Sequence, residues 1–355
     1  MKEKTEKFWG TKKLFILLIV LLIVVGALMG YKFIFDKNDK YTSANADFNS
    51  LENNVEETIK VKLPETFSGN ERPIAVMIDN HIDAMPQAAL LESDVIYEII
   101  VEGGETRLMA VMKGKDLDKI GPIRSSRHYF LDYALENDAI YVHYGWSPQA
   151  QGDISSLGVN NVNGLVESES SFWRVSDKEA PHNAVSSTKD ILKIAERDDY
   201  RTTSNKKTVL NYVADEVELD SDINAEEVYI KYSDYNSVRY EYDKESKKYI
   251  RYSRGEKQVD WDSGETILTK NIIVTFVENW TLDDGSGKGR QTLDNLGTHD
   301  GYYITNGKAI KITCEKESRE SQTVYRDLDG NEIKVNDGKT FIQIVPINAN
   351  VEFDD

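Results

Sequence analysis

An unbroken apolar run from Leu14 to Met29, prolonged by Gly30, Tyr31, Lys32, Phe33, Ile34 and Phe35, limits what this chain can be more than any other stretch. The Lys32 ammonium can snorkel, so the run reaches the roughly 20 residues that a bilayer core asks of a helix. Lys12 and Lys13 abut its start, which predicts a single pass through the cell membrane with the N-terminus cytoplasmic. No small-x-small cleavage site follows, so an uncleaved signal anchor is favoured over a secretory peptide. No cysteine follows directly either, so no lipid attachment is expected there. The C-terminal domains are then expected outside the cytoplasm.

Composition supports that placement. The 355 residues carry 43 basic and 61 acidic side chains, a net charge of −18. Residues 1–35 hold six lysines against two glutamates, so the acidic excess lies wholly in the remainder. Nucleic acid is therefore not an expected partner, because phosphate contacts supply most of such affinity. A single cysteine, Cys314, excludes an internal disulfide framework, and its alternating surroundings favour a packing role.

The expected plan has four parts. Residues 1–35 form a cytoplasmic tail and transmembrane signal anchor. Residues 36–70 are polar and lack apolar periodicity, which predicts a disordered tether. Residues 71–200 interleave strands (74–78, 95–101, 106–112, 139–144) with helices (86–92, 124–136, 148–157, 187–197), a mixed α/β layer domain. Ser147-Pro148 and Ser187 cap two of those helices. Residues 201–355 change to period two, with Asn306-Gly307 as the strongest hairpin signal, and predict a mostly β domain. The fold class is α+β.

Within the first domain, Gly121-Pro122-Ile123-Arg124-Ser125-Ser126-Arg127-His128 concentrates cations in an acidic protein. Read as the start of a helix, it puts Arg124, Arg127 and His128 on one face, where free N–H groups also favour an anion. The partners could be internal carboxylates (Glu98, Glu102, Asp79) or those of a ligand.

Several motifs together resemble the YerB-like lipoprotein family of bacterial extracytoplasmic proteins. They are Arg72-Pro73-Ile74-Ala75-Val76-Met77-Ile78-Asp79-Asn80, Tyr97-Glu98, Val101-Glu102-Gly103-Gly104, Thr106-Arg107, Gly121 to Arg127, and Ala180-Pro181-His182-Asn183. The similarity covers roughly residues 70–345, with Asn271 and Asp337-Gly338-Lys339-Thr340 in the second half. It implies a two-domain protein, usually lipid-anchored, with no established biochemical activity. This sequence departs from it by carrying an apolar span in place of a lipidated cysteine.

Polar groups gather at the predicted element ends of the first domain. Asp79, Glu98, His143 and His182 are the candidates for acid–base work; Arg107, Arg124, Arg127, His128, Trp146, Trp173, Arg174 and Asn183 are those for ligand binding. Each has a structural alternative: an Asx turn for Asp79, an ion pair with Arg107 or the Arg124 region for Glu98, a hydrogen-bonded core position for His143 and His182. A metal site from Asp79, His143 and His182 lacks HxxxH or HxH spacing, so no metal and no cofactor is expected. Ser125, Ser126 and Ser147 lack a Gly-x-Ser-x-Gly elbow. Asp327, Asp329 and Asn331 read as a β-turn, and Asp283 to Gly289 as a flexible hairpin. The favoured function is binding of an anionic cell-wall polymer or lipid-linked precursor. The alternatives are a hydrolase or transferase on such polymers, and a scaffold for membrane protein complexes.

Overall fold

In the computed structural model of this chain, the described residues are 62–354. The expected anchor and residues 36–61 of the tether lie outside them. Among the described residues no helix is long and apolar enough to cross a membrane. The expected tether reaches too far, because its last residues join the fold. Phe67 is buried in the core, and the backbone N–H groups of Glu65 and Thr66 donate to the Asp337 carboxylate at 2.8 and 2.9 Å.

Continuously apolar sequence makes the central strands. Strand β1 (Ile74–Asp79), β2 (Val95–Ile100) and β3 (Thr106–Met112) are buried at every position. Such runs must be covered on both faces. β3 pairs antiparallel with β1 and with β2. After helix α1 (Phe130–Glu136), strand β4 (Ile140–His143) pairs parallel with β1. Helix α2 (Pro148–Ser156) precedes the edge strand β5 (Asn161–Asn163), and helix α3 (Thr188–Arg197) closes this half. Ser147 and Ser187 cap α2 and α3 through hydrogen bonds from Ala150 N and Asp190 N, as the sequence predicts. Pro86 to Glu92 forms no helix, because its amides bond elsewhere: Ala88 N donates to Gly121 O at 2.8 Å.

The second half is β throughout. Strands β6 (Glu227–Lys231), β7 (Ser237–Asp243) and β8 (Lys248–Ser253) form a meander with alternating burial. Then follow β9 (Asn271–Thr281), β10 (Gly297–Thr305), β11 (Lys308–Lys316), β12 (Val324–Asp327), β13 (Thr340–Pro346) and β14 (Asn350–Asp354). Asn306 and Gly307, both at positive φ, turn β10 into β11. The described chain is mostly β with few helices.

The stretches 71–200 and 201–355 share one sheet rather than holding a sheet each. Its main order is β12-β11-β10-β9-β13-β2-β3-β1-β4-β5. β13 is buried at all seven positions, so it needs neighbours on both sides, and it lies parallel to both β9 and β2. The β8-β7-β6-β14 sheet contacts the same place. Tyr232 Oη donates to Gln343 Oε1, Gln343 Nε2 donates to Tyr240 Oη, and Arg251 of β8 reaches Glu98 of β2.

Candidate functional site

The Gly-Pro-Ile-Arg-Ser-Ser-Arg segment is extended, not helical. Arg124 N donates to Met77 O at 2.9 Å, Ile123 N to Ala184 O at 2.6 Å and Ser126 N to Gly145 O at 2.9 Å. Those amides are spent on three other segments, so no i→i−4 ladder can begin before Phe130. Arg124 and Arg127 therefore precede the helix instead of forming its first turn, contrary to the expectation from sequence. Gly121 makes the threading possible. Its φ is +141°, and a Cβ there would sit 2.9 Å from Ala184 O and 3.0 Å from Ile123 N.

This segment crosses the C-terminal end of β1, where β3 begins. The register puts Asp79 opposite Arg107. Asp79 is buried and accepts at both oxygens: His81 N donates to Oδ1 at 3.1 Å, and His182 Nδ1 lies 2.7 Å from Oδ2. The first of these is an Asx turn. Arg124 Nε is 3.2 Å from Oδ2, yet it is buried and makes no aligned hydrogen bond. Arg124 Nη1 donates weakly to Pro181 O at 3.4 Å.

Glu102, in the tight turn Glu102–Gly104 whose two glycines adopt positive φ, receives the other two arginines. Arg127 Nε donates to Oε1 at 2.6 Å, and Arg107 Nη2 is 3.9 Å from Oε2. Arg107 Nη1 donates to Ser125 O at 2.5 Å. Burial, with the Arg127 charge adding to it, pulls the Arg107 guanidinium down to about 10. It is still a cation at neutral pH. Burial works to raise the Glu102 carboxyl, but the hydrogen bond and charge of Arg127 and the charge of Arg107 outweigh it and hold the carboxyl below its ordinary range.

These groups line an open cleft of about 520 Å³, together with Trp146, Ser147, Glu105 and the hairpin residues Lys288 and Arg290. Five cationic side chains thus face three carboxylates. Glu105 is already paired with Arg254, and Arg290 with Asp284. Three guanidiniums share Asp79 and Glu102, which leaves donors for another anion.

The expected site residues divide. Asp79, Arg107, Arg124, Arg127 and Trp146 meet in the cleft, with His182 held behind Asp79. Glu98 does not, and its partner is not Arg107 or Arg124. It pairs at 2.6 Å with Arg251, a fully buried arginine on β8, and accepts from Thr106 Oγ1 and Asn80 Nδ2. His143 is a core residue bonded to Gly145 O and Asn161 Oδ1. Burial lowers its affinity for a proton. His128 contacts Thr292 Oγ1 at 2.8 Å away from the cleft lining. Trp173 lies in a two-residue strand, Arg174 Nη1 donates to Asn183 Oδ1 at 2.6 Å, and Asn183 Nδ2 donates to Val175 O and Lys178 O, fixing a loop. Burial pushes the Cys314 thiol up to about 12, as befits packing.

Lys288 and Arg290 also line the cleft, and the sequence does not announce them. Their Gly-rich hairpin reads as flexible, and only the β9 register places it over the first half. Arg251 is hidden for a different reason: its strand alternates like a surface strand, although the arginine falls on the buried face.

A mostly β chain of two halves, with a basic cleft at the end of its central strands, is the class that the fold defines. Residues 62–201 match the N-terminal domain, and residues 228–342 the C-terminal domain, of the family described as "Protein of unknown function (DUF3048)". "Putative lipoprotein YerB" of Bacillus subtilis (strain 168) is 30% identical over 301 residues, 81% of this chain and 87% of that one. The crystal structure of YerB protein from Bacillus subtilis matches with a TM-score of 0.72 at 29% identity, covering 83% of this chain and 100% of the other. The chain belongs to this YerB-like, DUF3048 family.

Proposed function

We propose that this protein binds an anionic cell-envelope ligand in the cleft formed by Arg107, Arg124 and Arg127. The observation that carries the reading is the convergence of those three guanidiniums on two carboxylates, with Lys288 and Arg290 lining the same cleft. Planar forks with spare donors suit phosphate or carboxylate groups. Trp146 beside them offers a face for a sugar ring. The N-terminal apolar run supports a membrane-held protein whose folded part lies outside the cytoplasm, and the relative's lipoprotein name agrees with that. The ligand is then an anionic wall polymer or a lipid-linked precursor.

An acid–base role is the second reading, supported by the Asp79–His182 contact at 2.7 Å. It would need turnover, whereas binding does not. The test is retention of phosphate-bearing and carboxylate-bearing wall fragments by the full-length chain in detergent, compared with Arg124→Gln. Retention falling about 10-fold, which is about 1.4 kcal/mol, with an unchanged melting temperature supports the reading. Equal retention by the variant contradicts it.

A further inference from the structure

We infer that His81, Asp83 and His182 form a binding site for one divalent transition-metal ion at the rim of the arginine cleft. Each offers one ligand atom, and these atoms lie within 4.8 Å of one another. The three come from two separate loops: His81 and Asp83 follow β1, and His182 arrives from the Ala180-Pro181-His182-Asn183 turn.

Two features of the geometry favour an ion over a chance cluster: the carboxylate behind His182 and the His81–Asp83 spacing. His182 keeps Nδ1 against the buried Asp79 carboxylate at 2.7 Å, which leaves Nε2 as the available base. A carboxylate behind an imidazole in this way is how proteins fix the tautomer and raise the basicity of a metal-binding histidine. The His81 and His182 rings stack with centroids 4.5 Å apart and planes 18° from parallel, so one ring must tilt for both to share an ion lying in their planes. His81 Nδ1 accepts a hydrogen bond from Asp83 N at 3.2 Å, yet also faces Asp83 Oδ2 at 3.4 Å. A proton or a metal ion between these two atoms relieves their repulsion, and a metal would take over the lone pair that Asp83 N now shares. The distance suits a metal, since ligands roughly 2.0–2.1 Å from a tetrahedral ion are about 3.4 Å apart.

Two imidazoles and one carboxylate select zinc or a similar first-row ion over calcium or magnesium, which prefer all-oxygen shells. Three protein ligands leave at least one position open. His81 and Asp79 also line the arginine cleft, so an anion bound there would be within reach of that position. The metal site does not depend on the anion site, and each can fail without the other.

The test uses the untagged full-length chain in detergent, stripped with a chelator and titrated in phosphate-free buffer. Zn²⁺ is followed by calorimetry and Co²⁺ by its visible absorption. One equivalent is expected to bind, with cobalt bands of a low-coordinate nitrogen–oxygen site. His182→Ala and Asp83→Asn should remove that binding or weaken it at least 10-fold, and Asp79→Asn should weaken it about 10- to 100-fold. The Asp83 side chain is exposed, so Asp83→Asn tests the ligand without threatening the fold. His299→Gln, on distant β10, should bind as the wild type does. No stoichiometric uptake, or uptake unchanged in both Asp83→Asn and His81→Ala/His182→Ala, overturns the proposal.

Discussion

Arg124 and Arg127 are three residues apart but serve different carboxylates, Asp79 and Glu102, because an extended chain sends their side chains to separate places. That division keeps both arginines partly unsatisfied at one cleft. The histidines show the opposite outcome. His143 and His128 are both held below the ordinary value of 6.5, first by burial. As pH falls through that value, the unfolded chain takes up protons that the folded chain refuses, so their contribution to stability is lost on acidification. Urea unfolding should therefore show stability falling from about pH 7 to about pH 5, with a shallower slope in His143→Gln. An identical slope in the variant would count against neutral, buried His143. Four of the five histidines fall between residues 81 and 182, which was informative as a cluster. Which of them meet at one site was not legible, because burial and long-range partners decide it.

Among the elements, most local signals are legible in the sequence and non-local pairing is not, as the expected helix at 86–92 shows by bonding to Gly121 instead. The Ser-Pro and Ser caps of α2 and α3, the Asn306-Gly307 turn and the buried runs β1 to β3 all rest on neighbours within a few residues. The arginine segment does not: its amides bond to Met77, Ala184 and Gly145, which no periodicity within the segment announces. Gly121 is the residue on which that threading turns. Gly121→Val, placing a branched side chain at φ +141° and against Ala184 O, is expected to cost at least about 1–3 kcal/mol and to weaken anion binding by displacing Arg124. Calorimetric melting and phosphate binding measured on the same sample check this. Wild-type values for both would show that the segment tolerates a Cβ.

Across the whole molecule, the two halves are joined by a strand and by buried charge. β13 lies between β2 and β9, so the C-terminal sequence completes the sheet begun by the first half. Glu98–Arg251 and Glu136–Lys316 are ion pairs buried to 1% or less on both sides, and each links a residue before 140 to one after 250. Removing one member leaves an unpaired buried charge, so Glu98→Ala is expected to cost about 3–5 kcal/mol. Because Glu98 is outside the cleft lining, anion affinity measured well below the variant's melting temperature should persist. Loss of affinity with little loss of stability would move Glu98 back into the site. The sequence exposed both halves of the plan, but it hid their shared sheet, since a continuously apolar strand does not name its neighbours.

The proposed anion site rests on Arg107, Arg124 and Arg127. Isothermal titration of inorganic phosphate into the chelator-stripped full-length chain, at low and high salt, tests it most directly. Saturable 1:1 binding is expected, weakening as salt rises and disappearing in Arg107→Gln/Arg124→Gln/Arg127→Gln. No heat of binding in the wild type, or binding that survives in the triple variant, would contradict it.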